Sequence, residues 1–433
     1  MATPPRAHLP SVRSGASAPC EPPSLRYRAV RETSLEIAAP LEIEDQVVQS
    51  MPDVSPTKWH LGHTSWFFEE FLLAPRLPGY KVFDERFGYL FNSYYESVGP
   101  RHARPRRGLL TRPTLREVLR YRAHVDEHMT RLIESIDSDG ESWPVLELGL
   151  NHEQQHQELM LTDLKHVLSC NPLEPAYRSD LECPSSATAT APPGWIAFGA
   201  GLREIGIDGG TAFCFDNETP RHREWLEAFE LADRLVTNGE YLEFIRAGGY
   251  EQPTLWLSDG WSVVQQQGWR HPLYWCDDLA TEFTLAGRLP LDPVRPVCHL
   301  SYYEADAFAR WAGARLPTEA EWETAVAGLP AEGNLLDRDA LHPLPAAGGT
   351  GLRQMFGDVW EWTRSPYGPY PGYRPAAGAI GEYNGKFMCS QFVLRGGSCA
   401  TPAGHVRPSY RNFFYPHSRW QFMGMRLARD LDS

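Results

Sequence analysis

The stretch LGLNHEQQHQELMLTDLKH, from Leu148 to His166, decides how the first part of the chain is organised. It contains no proline, and its apolar residues recur at three- and four-residue intervals, which predicts a long amphipathic helix. On such a helix, His152 and His156 lie about 40° apart on one face. The two histidines are predicted to point into a helical core, because the same face carries the apolar residues Val145, Leu148, Leu159, Met160 and Val167.

This inward pair of histidines favours a metal site over ordinary core packing. A single inward histidine is more often a core residue, but two stacked imidazoles with Glu153 and Glu158 nearby have the composition of a metal centre. His124 and His128 have the same spacing on a neighbouring helix, yet they lie off its apolar stripe and are predicted to be solvated. The prediction therefore depends on the helix face and not on the spacing.

A third ligand must come from another helix. The segment WHLGHTSWFFEEF offers His60 and His63, and it is too apolar all round for periodicity to choose between them. Three histidines without a carboxylate would leave positions on the metal open for small molecules. Fe(II) in such a site suits dioxygen chemistry and zinc suits hydrolysis, so these residues alone leave the metal open.

Length and composition restrict the classes of protein that are possible. A chain of 433 residues with 42% hydrophobic and 22% charged residues predicts a globular protein of two domains. The net charge of −14 argues against nucleic acid as a partner. Eight scattered cysteines, no apolar leader segment and no membrane-length apolar run predict a cytoplasmic protein with reduced thiols and no membrane partner.

The pattern along the chain changes once, near residue 173. Before it, the sequence predicts four helices, at about 25–48, 55–73, 111–136 and from near Pro144 onward, which is enough for a bundle. After it, the chain is dense in Gly, Pro and Trp with short elements, which predicts an α+β domain with long loops. The predicted division is a disordered tail at 1–24, a helical bundle with the metal site at 25–172, a linker at 173–193 and an α+β domain at 194–433.

Eight motifs in the same order resemble one family, the ergothioneine-biosynthesis sulfoxide synthases. The first part of the chain carries HLGHTSWFFEEF, FNSYYESVGPRHARPRRG and NHEQQHQE. The second carries FDNETPRHREWLEAFELADRLVTNGEYLEF, RLPTEAEWE, FGDVWEWTRSPYGPYPGY, LRGGSCAT and RNFFYPHSRWQFMGMRLA. The resemblance implies a multi-domain fold, with an N-terminal DinB-like four-helix bundle and a C-terminal α+β domain like the formylglycine-generating enzymes, which are related to C-type lectins.

The resemblance also implies a reaction and the residues that perform it. Fe(II) is expected on His63, His152 and His156, which would exclude His60 as a ligand. The substrates would be N-alpha-trimethylhistidine (hercynine), a cysteine donor and dioxygen, joined as hercynylcysteine sulfoxide through carbon C2 of the imidazole. Gln155 is expected near that imidazole, and the substrate-binding set further includes Asn412 and Phe413.

The identity of the sulfur donor is predicted from two features, the residue after Phe413 and the loop that contains the two tyrosines. Phe414, which is also placed in the predicted substrate-binding set, is apolar and a poor partner for the remote ammonium group of γ-glutamylcysteine. The segment NSYYESVGPRHARPRRG resembles the subgroup that uses free cysteine, in which Tyr94 or Tyr95 would donate a proton or hydrogen atom near the iron; the other tyrosine is expected only to pack. Among the arginines of this loop, Arg104 and Arg107 are expected to bind the cysteine carboxylate.

Three alternatives stay open at this point. The donor could be γ-glutamylcysteine, or the protein could be an ovothiol-type synthase acting on histidine, although those proteins usually carry a methyltransferase domain for which 433 residues leave no room. A non-enzymatic metal- or ligand-binding protein on a DinB scaffold is the third. Sulfatase activation is disfavoured, because the RGGS motif is followed by one cysteine, Cys399, instead of a pair. The oligomeric state is not determined by the sequence.

Overall fold

The computed structural model describes residues 22–136, 140–181, 191–210 and 213–431. It confirms the predicted fold class, a helical bundle followed by a domain of short strands and helices joined by long loops. Within the described ranges, no helix is both long and apolar enough to cross a membrane.

The bundle is formed by four helices: α1 (Pro23–Ala38), α2 (Thr57–Phe68), α5 (Leu115–Ile133) and α6 (Trp143–Ser169). Helix α2 lies at the centre, in contact with α5 and α6, while α1 packs against α6. All twelve residues of α2 are buried, which explains why its hydrophobic pattern has no preferred face. Two short helices, α3 (Ala74–Arg76) and α4 (Arg86–Phe91), lie in the connection between α2 and α5.

Helix α1 is shorter than the predicted segment at about 25–48. It ends at Ala38, because Pro40 has no amide N–H to continue the hydrogen-bond ladder. It also begins at Pro23, inside the range assigned to the disordered tail, and residues 1–21 of that tail lie outside the described residues.

The long helices begin and continue for identifiable reasons. Thr114 and Glu117 form the predicted capping box at the start of α5, with Thr114 Oγ1 accepting from the Glu117 amide at 3.3 Å. Helix α2 continues into α3 through a π-helical turn at Glu69–Leu73.

The prediction that His124 and His128 are solvated is wrong. Both side chains are half-buried, and the His128 ring packs at 5.0 Å from another aromatic ring of the bundle.

The predicted linker at 173–193 is described only in part, since residues 182–190 lie outside the described ranges. The described part joins the two domains through Tyr177. Its hydroxyl donates to the carbonyl of Ile37 at 2.8 Å, and its amide donates to the carbonyl of Leu285 at 2.9 Å.

The C-terminal domain is built from eleven short strands and four α-helices among the described residues, together with short 3-10 turns. The strands are β1 (Trp195–Phe198), β2 (Gly201–Ile205), β3 (His222–Leu226), β4 (Phe229–Ala232), β5 (Thr281–Thr284), β6 (Gly287–Pro290), β7 (Trp360–Pro366), β8 (Phe392–Arg395), β9 (Asn412–Phe414), β10 (Met423–Gly424) and β11 (Ala428–Asp430). The helices are α7 (Asn238–Arg246), α8 (Ser258–Gln267), α9 (Tyr302–Trp311) and α10 (Glu319–Ala325).

These strands form small sheets, of which one positions predicted substrate-binding residues. Its order is β10-β7-β8-β9, with β9 at the edge and antiparallel to β8. The other sheets have the orders β1-β4-β11, β2-β3 and β5-β6. Arg411, the residue before β9, is fixed by a buried ion pair with Glu319 at 2.8 Å.

The two domains are joined by a buried carboxylate. Glu158 of α6 accepts hydrogen bonds from Trp360 Nε1 at 2.8 Å, Ser398 Oγ at 2.5 Å and Thr401 Oγ1 at 2.7 Å. The RGGS motif and the GDVWEW motif therefore hold the C-terminal domain against the bundle, directly beside the helix that carries the histidine pair.

Candidate metal centre

Three histidines converge where the bundle meets the C-terminal domain. One ring nitrogen from each of His63, His152 and His156 can be chosen so that all three lie within 4.8 Å of one another. His63 Nε2 and His152 Nε2 are 3.1 Å apart, and the three ring centroids are separated by 4.6 to 4.8 Å. Within the described residues, no other group of three His, Cys, Asp or Glu side chains has this geometry.

Aromatic rings and one carbonyl fix the orientation of His63. Its ring is stacked between Trp59, at 4.6 Å, and Trp66, at 5.5 Å, which lie one turn away on either side along α2. His63 Nδ1 donates to the carbonyl of Phe91 at 2.6 Å, so the lone pair on Nε2 is free to face the other two histidines. His63 is therefore held in the tautomer that a metal ligand requires.

Helix α6 supplies the other two imidazoles. His152 is buried against the ring of Phe67 at 4.6 Å, and His156 lies one turn further along the helix and faces the cavity described below. Burial lowers the pKa of His152 to about 3. Burial, the neighbouring imidazoles and the Arg107 guanidinium hold the pKa values of His63 and His156 well below their usual value.

The donor set fits a divalent metal. Three neutral imidazoles with converging lone pairs match the ligand chemistry of Fe(II), Zn(II) and similar ions. No described carboxylate belongs to the cluster, so three protein ligands would leave further positions open. His60 lies outside the cluster, behind His156, with the two Nδ1 atoms 2.8 Å apart.

A cavity of about 470 Å³ opens beside the histidine cluster and is lined by both domains. His152 and His156 form part of its wall. The described lining also contains seven of the eight other predicted site residues, namely Tyr94, Arg104, Arg107, Gln155, Asn412, Phe413 and Phe414. Tyr95 and the predicted metal ligand His63 are absent from the described lining.

The two adjacent tyrosines occupy different environments. The Tyr94 ring faces the cavity and stacks on Tyr95 at 4.5 Å, with the two hydroxyls 3.4 Å apart. Tyr95 is completely buried and packs against Trp66 and Phe71. Burial raises the pKa of both phenols, so both carry their proton at neutral pH.

The two predicted arginines also differ. Arg104 is exposed at the mouth of the cavity and donates to the carbonyl of Asp53. Arg107 is buried, with its guanidinium 3.3 Å above the Trp59 indole and Nη1 donating to Ser55 Oγ at 2.9 Å. Arg107 forms no ion pair with a described carboxylate, and its Nε has no hydrogen-bond acceptor. Burial together with the charge of Arg104 lowers the pKa of Arg107 well below its usual value.

Gln155 connects the bundle to two tyrosines that the sequence did not single out as site residues. Its Nε2 donates to Tyr410 Oη at 2.7 Å, and its Oε1 accepts from Tyr383 Oη. Tyr383 also packs on His152 at 5.8 Å. Both tyrosines belong to the C-terminal domain, far from α6 in sequence, so no periodicity or spacing could have indicated them.

The three positions of strand β9 form another part of the cavity wall. Phe413 stacks on Tyr367 at 4.0 Å, and Phe414 packs edge-on against Trp420 at 5.6 Å. Asn412 Oδ1 accepts from the amide of Phe413 at 2.9 Å. This wall combines aromatic faces with one amide side chain.

Comparison with known proteins matches both parts of the chain. Residues 26–160 match the DinB superfamily, and residues 182–343 and 345–431 match the sulfatase-modifying factor enzyme 1-like domain. A formylglycine-generating enzyme from Streptomyces coelicolor is 28% identical over 55% of this chain and 90% of its own length.

Three relatives that match over both domains are hercynine oxygenases. The one from Mycolicibacterium thermoresistibile is 34% identical over 88% of this chain and 89% of its own length. The one from Mycobacterium tuberculosis is 34% identical over 88% of this chain and 92% of its own length. These relatives are matched over about nine tenths of their own length, both domains match, and the chain therefore belongs to the hercynine oxygenase family of ergothioneine-biosynthesis sulfoxide synthases.

Proposed function

We propose that this protein is a non-haem Fe(II)- and O2-dependent sulfoxide synthase that joins the sulfur of cysteine to C2 of the imidazole of hercynine. The C2–H and S–H bonds break, one oxygen atom of O2 becomes the sulfoxide oxygen, and the other leaves as water with the two hydrogens. The observation that carries this proposal is the cluster of three neutral imidazoles, two of which, His152 and His156, line a cavity formed by both domains.

The histidine cluster supports the metal part of the proposal. His63, His152 and His156 would hold Fe(II), which would bring the hercynine imidazole and the cysteine sulfur together and activate dioxygen. Because these three ligands are neutral, they would leave the positive charge of Fe(II) uncompensated, which would favour binding of the donor as a thiolate. Gln155, fixed between Tyr383 and Tyr410 beside the histidines, is suited to orient the second ring nitrogen of hercynine.

Arg107 supports cysteine as the donor. A buried guanidinium without an ion-pair partner beside the cavity is a ready site for one carboxylate, and free cysteine has one. The second carboxylate and remote amine of γ-glutamylcysteine would instead have to be accommodated near Phe414 and Trp420, whose apolar rings pack edge-to-face at 5.6 Å. Arg104 at the cavity mouth is the second arginine that we assign to donor binding.

Tyr94 is the proposed catalytic tyrosine, because its ring lines the cavity while Tyr95 lies behind it. Its phenol is protonated and can donate a proton or hydrogen atom during the reaction. Replacing Tyr94 with Phe should therefore reduce turnover or change the product, whereas Tyr95→Phe should act mainly through packing. Equal products and rates from both variants and the wild type would remove Tyr94 from the mechanism.

The proposal is tested by a product assay with purified protein, Fe(II) and oxygen. Cysteine and γ-glutamylcysteine are compared as donors, and hercynine and histidine as acceptors, with mass spectrometry of the products. We expect a C2-linked sulfoxide from hercynine and cysteine. A preference for γ-glutamylcysteine, or for histidine as acceptor, would replace the proposed substrates, and no product with any pair would refute the enzymatic function.

The metal ligands are tested separately. His152→Ala should remove bound iron and activity together, because two imidazoles hold a divalent metal much less tightly than three. Iron retained at full occupancy in this variant would refute the ligand assignment.

A further inference from the structure

A chain of hydrogen bonds runs from the candidate metal ligand His156 to the C-terminal domain. His156 Nδ1 lies 2.8 Å from His60 Nδ1, and His60 Nε2 lies 3.1 Å from Asp163 Oδ2. Asp163 Oδ1 in turn accepts from Trp420 Nε1 at 3.0 Å. His60, Asp163 and Trp420 are all buried, and Asp163 Oδ2 also accepts from the amide of Ser55 at 2.8 Å.

The positions of the protons in this chain follow from its two ends. The Asp163 carboxylate already accepts from Trp420 and the Ser55 amide, so it must also be the acceptor for His60, whose proton then sits on Nε2. A neutral His60 with its proton on Nε2 has a lone pair on Nδ1, which accepts from His156 Nδ1. His156 is then left with its lone pair on Nε2, the nitrogen that can face His63 and His152.

We propose that His60 and Asp163 are positioning residues that fix the tautomer and orientation of His156, and that Trp420 couples this arrangement to the docking of the C-terminal domain. A carboxylate behind a histidine raises the basicity of a metal-bound imidazole and restrains its ring. This inference rests on the metal site put forward under the proposed function, and it assigns roles to three residues outside the ligand set.

The other two ligands are oriented differently. His63 donates to a backbone carbonyl, that of Phe91, and His152 Nδ1 has no hydrogen-bond partner among the described residues. Within the described part of the chain, only His156 is therefore linked by hydrogen bonds to a charged side chain. The effect of this relay, which runs from His156 through His60 and Asp163 to Trp420, can for that reason be measured separately from the orientation of the other two ligands.

Trp420 also lines the cavity and packs against Phe414. The relay consequently touches both the candidate metal site and the wall that we assign to substrate binding. A loosened C-terminal domain would withdraw the Trp420 donor from Asp163, so metal affinity is expected to depend on how the domains dock.

The inference is tested by titrating metal-free protein with Co(II) under anaerobic conditions, following the d–d absorption bands. Asp163→Asn keeps the side-chain shape but removes the charge, and His60→Leu removes both ring nitrogens. Both should weaken Co(II) binding about 10- to 100-fold. His60→Gln should retain part of the affinity, because its amide oxygen can accept from His156 Nδ1. Trp420→Phe should give a smaller loss.

Glu158→Gln is the matched control. Glu158 lies on the same helix and also accepts an indole N–H from the C-terminal domain, but no described hydrogen bond joins it to an imidazole. Its change to Gln can act only through the docking of the two domains, so it should cost no more Co(II) affinity than Trp420→Phe does. A loss of Co(II) affinity in Glu158→Gln equal to that in Asp163→Asn would overturn the inference. Any weakening of the contact between the domains would then be enough to lower the affinity, without a specific role for Asp163.

A second readout separates tautomer control from simple packing. In Co(II)-loaded wild-type protein, the His156 Nδ1–H should give a hyperfine-shifted proton NMR signal that is protected from exchange with water by His60. This signal should broaden or disappear in His60→Leu while that of His63 remains. Wild-type affinity and an unchanged signal in both His60→Leu and folded Asp163→Asn would overturn the inference. Failure of the wild type to bind Co(II) or Fe(II) would instead overturn the proposed function.

Discussion

Replacing Arg107 with Met tests the donor site most directly. The guanidinium is buried, stacked on Trp59 at 3.3 Å and bonded to Ser55, and it forms no ion pair with a described carboxylate. If it binds the cysteine carboxylate, the variant loses a charge-assisted hydrogen bond worth about 1.5–3 kcal/mol. At about 1.4 kcal/mol per tenfold change, the KM for cysteine should rise about 10- to 150-fold. The KM for hercynine should stay unchanged.

Two further measurements distinguish this effect from damage to the metal site or to the fold. Arg107 lowers the pKa values of His63 and His156 through its charge, so its removal should leave metal binding as tight as before or tighter. Burial also disfavours the charged form of Arg107, so the methionine variant should unfold at the same or a higher temperature than the wild type. An increase in the KM for cysteine with intact metal affinity and stability would locate the defect in donor binding.

The assay is steady-state product formation with cysteine varied at saturating hercynine, and then with hercynine varied at saturating cysteine. Arg106→Met is the matched control, because Arg106 is exposed in the same segment and is absent from the described cavity lining. Cysteamine, which lacks the carboxylate, should be used equally well by the wild type and Arg107→Met. The reasoning is refuted if the variant keeps the wild-type KM for cysteine, or if it loses as much activity with cysteamine as with cysteine.

Two other predictions concern the bundle. A Cβ at Gly62 would lie 2.3 Å from the Phe91 ring, so Gly62→Ala should displace the residue that orients His63, cost about 1–3 kcal/mol of unfolding free energy and weaken Co(II) binding. Gly88→Ala, a helical position with open space, should be neutral or stabilising, and equal melting temperatures for both variants would contradict this. For metal-free protein, His152 has a pKa of about 3 when folded, so between about pH 6.5 and 3 only the unfolded chain takes up its proton. As the pH is lowered through this range, His152 should therefore reduce the unfolding free energy by up to about 1.4 kcal/mol per pH unit. Denaturant titrations of His152→Gln should show a correspondingly weaker dependence of the unfolding free energy on pH.

Part of the candidate site could be predicted from sequence because helix geometry determines it. Once α6 forms, a rotation of about 100° per residue places His152 and His156 on one face, and the apolar residues on that face direct them inward. The structure has both pointing at His63 from the bundle interior. The helical first half, the capping box of α5 and the change to an α+β domain likewise follow from local patterns that need no knowledge of tertiary contacts.

The choice between neighbouring residues required the tertiary structure. Helix α2 is buried on every side, so its pattern contains no information on whether His60 or His63 faces the α6 pair. The family resemblance favoured His63, and the structure adds that His60 lies directly behind His156. In the same way, Tyr94 and Tyr95 are adjacent in an irregular loop, and only the packing of that loop puts one at the cavity and the other in the core.

Sequence by itself thus determined the two-domain organisation, the family and the inward face of α6, because periodicity and motif order act over short stretches of chain. Only the tertiary structure decided which side chains complete the site from a distance, including Tyr383, Tyr410 and Trp420. These residues meet α6 across more than two hundred positions of sequence. Their contacts depend on how one domain docks against the other, and that docking is set by the sum of many buried interactions, which no local pattern contains.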